Sequence, residues 1–225
     1  MELAEIYAGA QERVVRMAEQ CGLAGLALRV PGTPEWTVSD VVAHLAGVTS
    51  DFLNGRLDGV ATPAWTARQV DQRRGRAVAE VLAEWAADAP EMQARLAASD
   101  QLAPVAIDAL THEHDLRGAL GRPGASDPEA VGAVLQRLGP VLGGRFNQAG
   151  LPGLRMVSGE NDEIFGSAPV GACVSASPME LFRALFGRRS AAQVRAFAWA
   201  GDPGPYLGLL NLFGPLPPED VLEAT

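Results

Sequence analysis

Lysine is missing from all 225 residues, so every one of the 18 basic side chains is an arginine. Schiff-base chemistry and a lysine general base are thereby excluded. Cysteine is nearly as scarce. Cys21 and Cys173 stand far apart, with neither the C-x-x-C spacing of a thiolate metal site nor the even set that staples a small secreted fold, so a reducing compartment is expected. No apolar run reaches the roughly 18 residues of a membrane span, and Met1-Glu2-Leu3-Ala4-Glu5 carries no basic leader. The expectation is a cytoplasmic protein with no membrane partner. A formal charge of -9 leaves no cationic surface to displace counterions from a phosphate backbone, so no nucleic-acid partner is expected either. The short run Arg73-Arg74-Gly75-Arg76 reads as a solvated helix face. Neither H-E-x-x-H nor G-x-S-x-G occurs, and no glycine run has P-loop or dinucleotide spacing.

What is present is helical in its first half. Apolar residues recur at helical spacing over 3–19, and Pro31-Gly32-Thr33-Pro34 punctuates the chain after it. Thr37 with Asp40 three residues on is a capping pattern that opens a helix to about position 52, with Val41, His44, Leu45, Val48 and Phe52 on one stripe. A long helical pattern over 66–98 is expected to bend or break near Pro90, its inward face carrying Val70, Val78, Val81, Leu82 and Trp85. A fourth helix covers about 104–120 and stops at Gly121-Arg122-Pro123-Gly124. The character then changes: a helix over 128–146, short extended segments at 154–157, 163–165 and 172–176, helices capped by Ser177 and Ser190, and a last short helix at 206–212. The reading is an α+β protein, with a four-helix bundle over 1–124 and a small α/β domain over 125–225.

The three histidines fall in two of these helices. Asp108, His112 and Asp115 lie at i, i+4 and i+7, on the same stripe as Val105, Leu116 and Ala119, so a carboxylate and an imidazole point toward a core. Burying them without a partner is costly, and a divalent metal shared with His44 would satisfy them, as metal sites in bundles are built from inward side chains of facing helices. Three nitrogen and oxygen ligands would leave a coordination position open. Spacing alone leaves the ordinary reading standing, in which the histidines are hydrogen-bonded core residues and the aspartate pairs with Arg13 or Arg16. His114 lies roughly 120° around the helix from Asp108 and reads as a surface or domain-contact residue. Glu113 and Arg117 point away from the stripe, whereas Asp115 is placed to accept a hydrogen bond from a ligand histidine.

These same residues carry a resemblance. Glu35-Trp36-Thr37-Val38-Ser39-Asp40-Val41-Val42-Ala43-His44-Leu45-Ala46-Gly47 resembles the second-helix signature of the mycothiol-dependent maleylpyruvate isomerase family, within the DinB-like metal-binding bundles. The segment from Asp108 through His112 and Asp115-Leu116 to Ala119-Leu120-Gly121 is similar to that family's fourth-helix motif, departing from it at Asp108, where the family more usually carries Glu. Leu185-Phe186-Gly187-Arg188-Arg189-Ser190, with Val194-Arg195-Ala196 and Gly201-Asp202-Pro203, resembles the C-terminal, sterol-carrier-like domain of these proteins. The resemblance implies His44, Asp108 and His112 as ligands of a divalent metal, zinc foremost, with mycothiol as a cofactor and Arg188 reaching the metal cleft to hold a substrate carboxylate or developing enolate.

In the implied isomerase reaction a thiolate adds to an activated cis double bond, the single bond so formed rotates, and elimination releases the trans product; in a transferase the sulfur stays on the substrate. A metal-dependent hydrolase or lyase on the same site, and a metal-free binding module, remain as alternatives of different class. The expected partners are a small electrophilic substrate and a low-molecular-weight thiol, bound by a monomer or homodimer.

Overall fold

The computed structural model describes residues 1–122 and 127–223. These divide into two compact units, one over residues 1–122 with Glu223 and one over residues 127–222. No described helix is long and apolar enough to cross a membrane.

In the first unit α1 (Leu3–Gln20) is opened by a reciprocal capping box between Glu2 and Glu5, and its buried stripe of Leu3, Ile6, Tyr7, Ala10, Val14, Met17 and Ala18 follows the helical period. A short α2 (Gly22–Leu26) leads into an antiparallel hairpin of β1 (Arg29–Val30) and β2 (Thr33–Thr37). The sequence shows only turn chemistry here, because two and five residues are too few to establish an alternation. Thr37 ends β2 and caps α3 (Val38–Leu53), its Oγ1 accepting from the Asp40 N–H while the Asp40 carboxylate accepts from the Thr37 N–H.

The pattern over 66–98 resolves into two helices, and the break is not at Pro90. It falls between α4 (Pro63–Asp71), capped by Thr62, and α5 (Val78–Ala98), where Gly75 takes φ +84° in the turn between them. Pro90 sits on the exposed face of α5, as does Ala86, whose carbonyl it leaves without its helical donor, while Val81, Leu82, Trp85, Ala89, Met92 and Leu96 keep the helix packed on both sides of it. Arg73 corrects a second expectation. Far from being solvated, it is buried, ion-paired to Glu84 and donating from Nη1 to the Gln69 carbonyl.

After a 3-10 turn, α6 (Ala103–Ala119) completes a bundle in which α1 and α3 each pack against both α5 and α6. A buried polar cluster ties α1 to α5 and α3: Trp85 Nε1 donates to Tyr7 Oη at 2.7 Å and to Thr49 Oγ1 at 3.0 Å, and Tyr7 and Thr49 are 2.9 Å apart.

The second unit begins with α7 (Pro128–Gln148), followed by β3 (Gly153–Ser158), β4 (Asn161–Phe165), β5 (Val170–Ser175), α8 (Pro178–Leu185), α9 (Ala191–Arg195), β6 (Ala198–Ala200) and α10 (Gly204–Leu210). The sheet order is β4-β3-β5-β6, with β3 and β5 parallel and the outer pairs antiparallel. Ser177 and Ser190 cap α8 and α9 through their side-chain oxygens. Leu154, Met156, Ala172 and Val174 form the buried side of β3 and β5, and α7 and α8 pack together beside the sheet.

Candidate metal centre

The hairpin, α3, α4 and α6 bring the site together. His44 lies seven residues, two helical turns, beyond the Thr37 cap, with its side chain 4% exposed. Asp108 and His112 project from consecutive turns of α6. Asp108 Oδ2 is 3.3 Å from His44 Nε2, and its Oδ1 is 3.5 Å from His112 Nε2. Ligand atoms of all three lie within 4.8 Å of one another. Aspartate, though one methylene shorter than glutamate, thus spans both imidazoles. The Trp36 ring, at the end of β2, leans over the pair with its centroid 4.8 Å from that of His44 and 5.9 Å from that of His112.

Each imidazole is held from behind. His112 Nδ1 lies 2.8 Å from Oδ2 of Asp115, a carboxylate with no solvent exposure. His44 Nδ1 lies 2.8 Å from Gln69 Oε1, and Gln69 Nε2 donates at 3.0 Å to Asp51. Because a carboxylate only accepts, that second bond settles the amide's orientation: its oxygen faces the ring and takes the hydrogen of Nδ1. The His44 Nδ1 hydrogen is therefore committed, and its Nε2 turns a lone pair toward the Asp108 carboxylate; His112 Nδ1 faces the Asp115 carboxylate at 2.8 Å as a close polar contact off the line of a hydrogen bond, which leaves its Nε2 on the Asp108 side.

Three acceptors facing one another attract a cation. The two Nε2–carboxylate separations exceed the about 2.7–3.2 Å of a good N–H···O bond, and they match the roughly 3.3 Å expected between donors that share a tetrahedral centre at ~2.05 Å. The residues present fit a divalent metal, and two imidazoles with one carboxylate are a donor set that zinc accepts.

The other residues singled out from the sequence lie outside this group. Glu113 does turn away from it, but into the protein: it is fully buried and accepts from Nε and Nη2 of Arg13 on α1, both at 2.9 Å, and from Arg117 Nε at 2.9 Å. Arg13 thus pairs with Glu113 and Arg16 with Glu12. His114 is buried, 5% exposed, and is not on the surface. The helical period could not show this, since α6 has buried side chains in unbroken succession from Ala109 to Leu116. Arg188 belongs to the second unit, in the turn after α8, where its Nη1 donates to the Phe186 carbonyl at 2.6 Å. Neither Gln69 nor Asp51 is part of a motif in the sequence. Asp51 is seven residues beyond His44 on α3, a spacing that signals a shared face, but Gln69 lies on another helix and no motif leads to it.

Residues 7–107 match the family model of the mycothiol maleylpyruvate isomerase N-terminal domain, a span that contains Trp36, His44, Asp51 and Gln69 and ends one residue before Asp108. No curated protein matches the chain. Among solved structures, the crystal structure of the mycothiol-dependent maleylpyruvate isomerase is 13% identical, with a TM-score of 0.54 over 83% of this chain and 88% of that one. A histidine-to-alanine mutant of the mycothiol-dependent maleylpyruvate isomerase is 12% identical, with a TM-score of 0.56 over 88% of this chain and 91% of that one. At these identities the likeness is one of fold, and it extends over both units. The family likeness is thus carried by the helical first unit, whose residues 7–107 are similar to the mycothiol maleylpyruvate isomerase N-terminal domain.

Proposed function

We propose that this chain is a cytoplasmic enzyme that binds one divalent metal, zinc by preference, on His44, Asp108 and His112, and uses mycothiol to isomerise, or transfer sulfur to, a small electrophilic substrate. The observation that supports it most directly is the convergence of two imidazole Nε2 atoms on one carboxylate, each ring backed by its own buried acceptor. The match of residues 7–107 to the N-terminal domain model and the fold likeness favour the thiol-dependent chemistry over a hydrolase.

A divalent cation in such a site supplies Lewis acidity and raises the thiolate share of a thiol near neutral pH. The chain's own residues do the rest. His44, Asp108 and His112 hold the cation, Gln69 and Asp115 keep both Nε2 atoms facing it, and Trp36 shields one side of the histidine pair from water. The protein's own thiols are poor candidates for the nucleophile. Burial pushes the Cys21 thiol up from its usual value, which lowers its thiolate fraction, and the thiol donates to the Ala18 carbonyl. The attacking sulfur is therefore assigned to a bound small thiol.

Arg188 is assigned the substrate carboxylate, so Arg188→Lys should keep the metal but lower turnover, an ammonium being unable to make the two-pronged contact.

Elemental analysis of the purified protein, with calorimetry against mycothiol at millimolar concentration, tests the reading. The expected result is one equivalent of metal, lost in His44→Ala, and mycothiol binding to the metal-loaded protein. Stoichiometric metal in His44→Ala would remove the ligand assignment, and a metal-loaded protein that ignores mycothiol would replace the thiol chemistry with the hydrolase reading.

A further inference from the structure

Helix α4 stands apart from the four long helices that form the bundle, yet it is tied down more firmly than a nine-residue connector requires. It presses on α3 at Gly47, where an added Cβ would lie 2.5 Å from Gln69 Cβ and 2.8 Å from its Cγ. Just beyond its C-terminal end Arg73 is buried, its Nη1 donating to the Gln69 carbonyl at 3.1 Å while its Nε donates to Glu84 of α5 at 3.1 Å. Both braces act on one residue. Gln69 is completely buried, and its amide uses both ends: Oε1 on His44 and Nε2 on Asp51. One glutamine thereby bridges two side chains that are two turns, ~10.5 Å of axial rise, apart on α3. Asp51 is itself buried and fixed by Arg56 Nε at 2.7 Å and Arg68 Nη2 at 3.5 Å, so it cannot swing away from the amide.

We propose that Gln69, oriented by Asp51, is the positioning residue for His44, and that α4 exists to deliver it. This rests on the metal reading of the site. The placement has a chemical consequence that differs from that of Asp115. The ring of His112 is backed by a carboxylate, which makes it the stronger electron donor, whereas the ring of His44 is backed by a neutral amide. A second buried carboxylate behind His44 would add negative charge to the site and blunt the cation's Lewis acidity. The amide fixes the ring's tautomer and direction without that charge, and the charge of Asp51 stays one residue removed, neutralised by two arginines.

The test compares the full-length wild type with Gln69→Met, which keeps the length of the side chain but offers no acceptor to Nδ1. Zinc affinity is measured by competition with a chromophoric chelator, apo-protein melting by circular dichroism, and the His44 tautomer in the metal-free protein by ring 15N shifts. The expected result is a roughly 10- to 100-fold rise in the zinc Kd, the range for loss of a partner behind a metal ligand, together with a wild-type His44 that carries its hydrogen on Nδ1 and a variant that mixes both tautomers. A fold held up merely by packing would shift the melting curve and leave the tautomer unchanged.

Should Gln69→Met fail to fold, the double variant Asp51→Asn/Gln69→Glu decides, since it reverses the direction of the bridging hydrogen bond while keeping an acceptor on His44. It is expected to bind zinc at least as tightly as the wild type, and a tenfold loss there would overturn the inference. So would a Gln69→Met protein with a wild-type tautomer and a Kd within twofold of wild type. A wild type that takes up no zinc, yet shows the Nδ1 tautomer lost in Gln69→Met, would overturn the metal reading and leave the positioning of His44 by Gln69 standing.

Discussion

Replacing Asp115 by asparagine isolates the charge behind His112 from its shape. Asp115 is fully buried, and Oδ2 lies 2.8 Å from His112 Nδ1. Asparagine keeps an oxygen beside the ring, so only the ionic part of the contact is lost. On the scale set by hydrogen bonds, a close contact with a charged group contributes about 1.5–3 kcal/mol and one with a neutral group about 0.5–1.5 kcal/mol. The difference is roughly 1–1.5 kcal/mol, and at ~1.4 kcal/mol per decade it corresponds to about a five- to tenfold weaker zinc Kd. Asp115→Ala deletes the acceptor as well and should weaken binding further, toward the ~100-fold end of the range for such partners. His112→Ala removes a ligand and should abolish stoichiometric binding. All three are read by chelator competition on the purified apo proteins, with melting curves run alongside. If both Asp115 variants bind zinc within twofold of wild type, or if Asp115→Asn loses as much as His112→Ala, the carboxylate is not acting through the His112 ring.

Further outcomes concern the frame around the site. His114→Ala should retain one equivalent of metal, because His114 lies outside the converging group, and should lower the melting temperature, because the residue is buried. Gly47→Ala should weaken metal binding and lower stability together, the new Cβ driving against Gln69 Cβ at 2.5 Å; unchanged zinc affinity would show that α4 yields without disturbing His44. Burial pushes the Tyr7 phenol up to about 12. Its stability contribution is therefore fully present below the unfolded value of about 10 and is lost as pH rises through the folded value, at up to ~1.4 kcal/mol per pH unit in that window. Tyr7→Phe should lose this alkaline dependence, which urea unfolding between about pH 9 and 12 would reveal.

Much of the frame was legible in local chemistry. The capping pattern at Thr37, the caps at Ser177 and Ser190 and the prolines at the starts of α6, α7 and α8 act within one turn, so a short stretch of chain contains everything that decides them. The placement of Asp108, His112 and Asp115 on one stripe of α6 is equally local, a matter of helical period alone. Periodicity failed where burial came from several directions at once: α6 encloses Glu113 and His114 as well as the site, so no polar face remained to mark which side was inward. It failed also at Pro90, whose cost depends on whether the freed carbonyl meets water, and at Arg73, whose burial depends on Glu84 of another helix.

What only the tertiary structure decided is the meeting of the elements. Nothing in the local sequence states that α3 and α6 pack so that one carboxylate lies between two imidazoles, or that Trp36 folds over both rings. Still less does it state that a glutamine 25 residues from His44 supplies the hydrogen bond that aims it. Hydrogen bonds and packing between helices depend on distance in space, which the order of residues along one helix does not contain, so His44, Asp108 and His112 could be singled out from the sequence but the groups that orient His44 could not.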